Sequence, residues 1–385
     1  MKRSKIKFEQ IISIENCIKS IENASRNKSK KRKRELVKAM KVGKLSKNSV
    51  NYILSHKQEY AEKLRSFLIR VLEGTEKFHE GTKTIINNDG TTKKRRVLCK
   101  PLFFPDQCAH WAIMQIVEPE ISKGFYKKSF ASIKGGGTHK AKDTANKFFS
   151  DLKGTKYCLQ IDVKGFFDHI DKEILASLFE NKIKDKRIIC LLKSIIYSFQ
   201  GAGIPLGYYT SSAFANFYLT QNDYFISEKL KIKYFCRYMD DMVLFSGNKK
   251  VLHNAVKRIN FNLKNTRNVF LKRNWQVYKM PFKNHENRFC DFVGFRLYRY
   301  KTTLRKSIMC RATRCFRSLM KNSYNLLLAH RFISYNGYLK STDSFSLETK
   351  YIKNSIKIPK IKEIIKNESR DNYLFKSNAG TVFCC

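Results

Sequence analysis

The period of the apolar positions changes several times along this chain, and each change marks an element. Ile11, Ile12, Ile14, Ile18 and Ile21 recur near helical spacing, so residues 1–80 read as a basic helical extension. Asn87-Asn88-Asp89-Gly90 reads as a hairpin turn before a basic strand, Lys93–Leu98. A helix is expected from about Asp106 to Glu118, with Trp111, Met114 and Val117 on one face. Gly135-Gly136-Gly137 is a turn, and Thr138 is placed to cap a helix running through Phe148 and Phe149. The run Tyr157-Cys158-Leu159-Gln160-Ile161 reads as a strand ending on Asp162. A helix over about 172–199 and a loop, Gly201–Gly207, come next. Thr210-Ser211-Ser212 then starts a helix from Ala213 to Lys229. Lys233–Tyr238 and Met242–Phe245 are two strands with Asp240-Asp241 at the turn between them. From about residue 302 the chain reads as helical and basic again, and no fixed-period repeat interrupts it. The order strand–helix–strand–strand–helix implies an α+β layer.

Composition narrows the partners. Lys+Arg number 77 against 32 Asp+Glu, a formal charge of +45 over 385 residues. The excess runs along the whole chain, including a dense block at Lys28–Arg34, and a polyanion is its natural partner. Nucleic acid fits better than an anionic membrane, because no segment is long and apolar enough to span a bilayer. The basic start has no apolar core behind it, so the expected setting is the cytoplasm, with no membrane partner. The 11 cysteines form no paired zinc spacing, and most read as small core residues in a reducing compartment; Cys384-Cys385 carries no assignment.

The candidate chemistry lies in three acids set in apolar runs. A buried carboxylate must be neutralised or must hold a cation. A hairpin that presents Asp240 and Asp241 beside Asp162 on a neighbouring strand suits hard divalent cations, Mg²⁺ first, with Mn²⁺ as a substitute. Two such ions activate a 3′-hydroxyl and stabilise a leaving pyrophosphate. An ordinary solvated hairpin is the plain alternative for the Asp-Asp pair alone.

These residues resemble a family. Tyr238-Met239-Asp240-Asp241 is similar to the catalytic box of reverse transcriptases, and Asp162-Val163-Lys164-Gly165-Phe166-Phe167 to their first catalytic motif. Gly203–Ser212 with Ala213-Phe214-Ala215-Asn216 resembles the next motif, and Phe292-Val293-Gly294-Phe295 the primer-grip turn. Arg96-Val97-Leu98-Cys99-Lys100-Pro101 with Asp106 resembles the fingers motif of bacterial enzymes. The resemblance covers about residues 90–310, in the family's order. It implies a right-hand polymerase: a helical extension (1–80), fingers (81–155), a ferredoxin-like palm (156–300), and a helical thumb and tail (301–385).

Roles follow from the resemblance residue by residue. Asp162, Asp240 and Asp241 would be catalytic metal ligands, joined by the Val163 carbonyl. Phe167, five residues after the first acid, would be the sugar gate that rejects a ribose 2′-hydroxyl. Arg96 and Lys100 would contact the incoming triphosphate, and Gly207 would let the backbone approach the nucleotide or template base. Leu206 would line the nucleotide site, and Lys272 would protonate pyrophosphate. Val293, Gly294 and Phe295 would grip the primer. His139 and His169 read as hydrogen-bonded structural groups.

The Ile204-Pro205-Leu206-Gly207 form looks like that of diversity-generating retroelement enzymes, although Ser212 stands where those carry Gln. The expected partners are template RNA, primer, DNA product, deoxynucleotides and an accessory protein, in a bacterium or phage. Arg299–Lys306 reads as a basic strand leading into a helix that suits a duplex backbone, and Ser334–Lys340 resembles a thumb segment. No pattern suggests an RNase H or HNH nuclease domain. A binding-only protein, a template-independent or defence-linked polymerase, and a retron or group II intron enzyme stay open. Template, primer, accessory partner and oligomeric state are not set by the residues.

Overall fold

The strand that ends on Asp162 becomes an inner strand of the main sheet, and the rest of the fold is arranged to hold it there. The structure is a computed structural model; it describes residues 3–26, 47, 49–86, 96–282, 288–321, 324–353 and 356–367. The charge block Lys28–Arg34, the expected turn Asn87–Gly90 and Cys384-Cys385 lie outside the described residues. The chain forms two compact units that divide between Lys279 and Met280.

The first unit opens with helices α1 (Phe8–Ile11), α2 (Ile14–Ser25), α3 (Val50–Ser55) and α4 (Lys57–Leu72). Serines start two of them: Ser13 accepts from the Asn16 amide and Ser49 from the Tyr52 amide. Strands β1 (Thr82–Ile86) and β2 (Arg96–Lys100) pair antiparallel, with Thr82 opposite Lys100.

The helix expected from Asp106 is shifted. Helix α5 runs Cys108–Ser122 and is preceded by a widened turn, Phe103–Gln107, in which Phe104 is extended. Pro105 lacks an amide donor and forces the residue before it out of helical backbone. Asp106 is therefore buried in the turn and accepts the His79 amide at 3.0 Å. Met114 and Val117 are buried on the expected face, while Trp111 is half-buried and stacks on Tyr209 with ring centroids 3.9 Å apart.

Helix α6 (Thr138–Phe148) takes its cap from Gly137 at φ +105°, not from Thr138, which is already the first helical residue. After β3 (Tyr157–Asp162) the expected single helix over 172–199 is two, α7 (Lys172–Lys182) and α8 (Lys186–Tyr197). Ile183 leaves the helix to bridge Ser4, and Asp185 caps the second helix through the Arg187 amide. Helix α9 (Tyr209–Tyr224) starts earlier than the expected Ala213 and continues through a widened turn to Lys229.

Strands β4 (Tyr234–Tyr238) and β5 (Asp241–Ser246), helix α10 (Lys249–Arg267) and β6 (Gln276–Lys279) complete the unit. The sheet order is β4-β5-β3-β6, antiparallel throughout. Leu159, Ile161, Met242 and Leu244 join the same apolar core as Leu252, Val256, Ile259 and Leu263 of α10. Side chains alternate across a sheet, so Asp162 and Asp241 project from the face opposite α10.

In the second unit β7 (Cys290–Phe292), β8 (Phe295–Leu297) and β9 (Thr302–Leu304) form an antiparallel meander. Helices α11 (Lys306–Met320) and α12 (Leu326–Leu339) pack together through Phe316 and Phe332, 5.7 Å between ring centroids. The α+β class is as expected. Among the described residues no helix is long and apolar enough to cross a membrane, and the nine cysteines among them are free thiols.

Candidate active site

The three acids come together by register. Asp162, the last residue of β3, lies opposite Asp241, the first residue of β5. Tyr238 pairs with Asp241, so Met239 and Asp240 form the two-residue turn of the hairpin. Met239 has φ +57°, a conformation that normally falls to glycine.

A buried network holds that turn. Arg237 is fully buried in β4, and its guanidinium donates to both carboxylate oxygens of Asp223 on α9 at 2.7 and 2.6 Å. It also donates to Asn216 Oδ1 at 3.1 Å and to the Met239 carbonyl at 2.8 Å. Asn216 in turn donates to the Ala131 carbonyl at 2.7 Å. Burial pushes the Asp223 carboxyl up, and the guanidinium beside it opposes that shift. Sequence reasoning passed over Arg237 and Asp223. The signal was there: an arginine between Cys236 and Tyr238 in an apolar strand needs a buried acid.

The acids show the electrostatic tension expected of gathered carboxylates. Asp240 is pushed up to about 6, first by burial, then by the neighbouring Asp162 carboxylate, with Lys272 pulling the other way. Asp240 keeps part of its surface open, yet protein surrounds it on most sides, which is why burial leads. Asp162 Oδ1 is buried without a hydrogen-bond partner, while its Oδ2 accepts from Lys272 Nζ at 2.5 Å. Among the described residues, no three acidic, histidine or cysteine side chains stand as a preformed metal cage. Lys272 is bonded to Asp162, and the orphaned Oδ1 together with the raised Asp240 makes an all-oxygen donor set that suits Mg²⁺.

Lys272 is held there by its own backbone. Its amide donates to the Asp162 carbonyl at 2.8 Å, the Lys164 amide donates to the Phe270 carbonyl at 2.8 Å, and Val163 bridges Leu271. Lys272 Nζ is thereby set beside the first of the three acids.

The glycine–proline loop is stitched to two neighbours. The Ile204 amide donates to the Phe167 carbonyl at 2.9 Å, and the Cys99 amide donates to the Leu206 carbonyl at 2.7 Å. This brings half-buried Phe167 and Leu206 near β2, where Arg96 and Lys100 share one face by alternation. The glycine at 207 has a nearer reason than a nucleotide. A Cβ there would sit 2.5 Å from the Cys99 carbonyl oxygen, and φ is +109°. His169 Nδ1 lies 2.8 Å from the Gly165 carbonyl, a structural bond as expected.

In the second unit Phe292 pairs with Phe295, leaving Val293 (φ +48°) and Gly294 (φ +90°) as a two-residue turn with both central residues left-handed. A Cβ on Gly294 would meet Ile308 Cδ1 at 2.8 Å. Arg305 bonds Asp291 at 2.7 Å, and its amide donates to the Gly294 carbonyl at 2.9 Å.

Residues 86–296, more than half of the chain, match the family model described as reverse transcriptase (RNA-dependent DNA polymerase). The chain belongs to the reverse transcriptase family. Its α+β fold is that of the right-hand polymerase class. Among curated relatives of this reverse transcriptase, the group II intron-encoded protein LtrA of Lactococcus lactis subsp. cremoris is 28% identical over 221 residues, covering 53% of this chain and 34% of LtrA. An uncharacterized 91 kDa protein in the cob intron of Schizosaccharomyces pombe is 35% identical over 95 residues, covering 22% of this chain and 12% of that protein. The chain thus spans about a third, or less, of the length of the curated relatives it matches. Among solved structures, apo telomerase from Candida tropicalis aligns with a TM-score of 0.48 at 13% identity, over 84% of this chain and 64% of that one.

Proposed function

We propose that this reverse transcriptase is an RNA-directed DNA polymerase that extends a primer with deoxynucleotides on a template RNA. The observation that carries the reading is the pairing of Asp162 with Asp241 beside the Asp240 turn, inside a chain that matches the family model. The primer 3′-oxygen attacks the α-phosphorus of the incoming nucleotide. One O–P bond forms, the bond to the β-phosphate bridge breaks, and pyrophosphate leaves. Two Mg²⁺ ions held by Asp162, Asp240, Asp241 and the Val163 carbonyl, with Mn²⁺ as substitute, would activate that hydroxyl and offset the developing charge.

The chain's own residues supply the rest. Lys272, bonded to Asp162, is the proton donor to the leaving pyrophosphate. Arg96 and Lys100, on one face of β2, contact the triphosphate. The Phe167 ring excludes a 2′-hydroxyl, and Leu206 shapes the base pocket without a hydrogen bond of its own. Residues 81–155 serve as fingers, 156–300 as palm with Val293, Gly294 and Phe295 gripping the primer, and 301–385 as thumb and tail, behind a helical extension over 1–80.

The setting is a cytoplasmic bacterial or phage retroelement with a cognate RNA and an accessory protein. The Ile204–Gly207 loop supports a diversity-generating type. Similarity to an intron-encoded protein supports a group II intron type as the second reading.

The test is primer extension on an RNA template with Mg²⁺, read by sequencing. Complementary DNA is expected, and Phe167→Ala should admit ribonucleotides. Product unrelated to the template sinks the reading, and unchanged sugar selectivity sinks the gate. Errors clustered opposite template adenine select the diversity-generating type. Loss of intron splicing on deletion selects the other.

A further inference from the structure

Helix α10 covers the sheet from the side opposite the catalytic acids, and its outer face is basic. Its 19 residues contain six cations and no acid. Lys250, Asn254, Lys257, Phe261 and Lys264 fall at spacings of four, three, four and three, which is a single stripe along the helix, and all five are exposed. At about 1.5 Å per residue the stripe is about 21 Å long.

Some exposed cations of this unit are matched to carboxylates. Lys57 pairs with Glu22, Lys63 with Glu59, Arg70 with Glu76, Lys123 with Glu120 and Lys193 with Glu180. On α10 none of Lys249, Lys250, Lys257, Arg258 or Lys264 has a carboxylate partner among the described residues. In the middle of this uncompensated charge stands Phe261, 68% exposed, the most exposed large apolar side chain among the described residues of the unit. A ring held in water between like-charged lysines gains nothing from the fold. It gains from a partner that brings phosphates to the lysines and a π-face to the ring.

We infer that the outer face of α10 is an RNA-docking surface, separate from the catalytic cleft. It takes an unpaired stretch of the RNA outside the primer–template duplex, with Lys250, Lys257 and Lys264 on successive phosphates and one base stacked on Phe261. RNA in place of other polyanions rests on the family membership and on the exposed ring, since unpaired RNA bases are what aromatic side chains stack on. The surface lies across the sheet from Asp162 and Asp241, so it positions the RNA and takes no part in nucleotide addition.

The experiment uses the full chain and two labelled RNAs: a minimal primer–template, and the same duplex with an unpaired flank of about 15 nucleotides. Affinities are measured across a salt series. The flank should tighten wild-type binding. Phe261→Ala should weaken the flanked RNA about tenfold. The double variant Lys257→Gln, Lys264→Gln should lower the salt slope on that RNA by about 1.4. Both variants should bind and extend the minimal duplex like wild type. The control removes equal charge from paired lysines, Lys63→Gln with Lys193→Gln, and should leave the flank effect intact.

A flank effect that survives the α10 variants overturns the inference. Equal loss in the control also overturns it, because net charge would then be the cause. So does transfer of the α10 dependence to anionic phospholipid vesicles in place of RNA. Absence of primer extension by wild type, with the flank effect intact, strikes the proposed function and leaves this surface standing.

Discussion

Two hairpin turns, one in each unit, solve the same backbone problem with different means. Met239 at φ +57° and Val293 at φ +48° both occupy a conformation that side chains avoid, and each turn lies beside an Arg–Asp pair. Around the Met239–Asp240 turn the pair Arg237–Asp223 is wholly buried, and the arginine reaches the turn carbonyl itself. Around Val293–Gly294 the pair Arg305–Asp291 is about a third exposed, and the turn relies on glycine and on the Arg305 amide. A turn that carries charged chemistry is held by a partner taken out of water, where geometry is enforced strongly. A turn without a charged side chain can be held by local conformation. A buried pair is costly to break and weakly stabilising in itself, so its value here is position.

The largest effect should come from the chemistry at the first turn. Asp240→Asn should lower primer extension by at least about 10³-fold. The same variant should not destabilise the fold. Asp240 holds its proton up to about 6 in the folded chain, against an ordinary 3.8, so the folded state binds more protons between those values and stability falls as pH rises through them. Without divalent cation Asp240→Asn should flatten that fall. Urea unfolding at several pH values measures it, and a steeper slope in the variant contradicts the electrostatic account.

Next in size is the buried pair. Asp223→Ala leaves a guanidinium without its acid and should cost about 3–5 kcal/mol. The double variant Asp223→Leu, Arg237→Leu should recover much of that stability but not primer extension, because the Met239 carbonyl still lacks its donor. Recovery of both would mean that the network serves stability alone, and the contrast between the turns would fail.

Val293→Gly should relieve the left-handed backbone of the second turn and raise stability by about 1 kcal/mol. Met239→Gly provides the matched comparison: extension should drop if the turn is held by Arg237 around this side chain, whereas a gain like that at Val293 would make the two turns equivalent. The smallest effect is expected of Arg305→Ala, about 0–1 kcal/mol, since its ion pair is exposed enough to be screened. A loss as large as that of Asp223→Ala would erase the distinction.

What could be read from the residues followed local rules. The apolar run before Asp162, the paired acids between two short strands and the glycine turn at 135–137 all follow from period and turn chemistry. Where reading failed, a neighbour distant in sequence had decided. The helix expected over 172–199 is broken because Ile183 is drawn to pair with Ser4. Pro105 moves the start of α5 to Cys108, so that Asp106 sits in a buried turn facing His79.

The sequence by itself therefore determined the kind of chemistry: three carboxylates in apolar settings on a chain of +45. Only the tertiary structure decided that Asp162 stands opposite Asp241, that Lys272 bonds the first acid, and that Asp223 holds the arginine that holds the turn. Only it showed that the exposed lysines of α10 have no carboxylate partner among the described residues. The reason is physical. Period and propensity act over a few residues, whereas register, ion pairing and burial are settled between segments far apart in the chain, where the energy of desolvation decides.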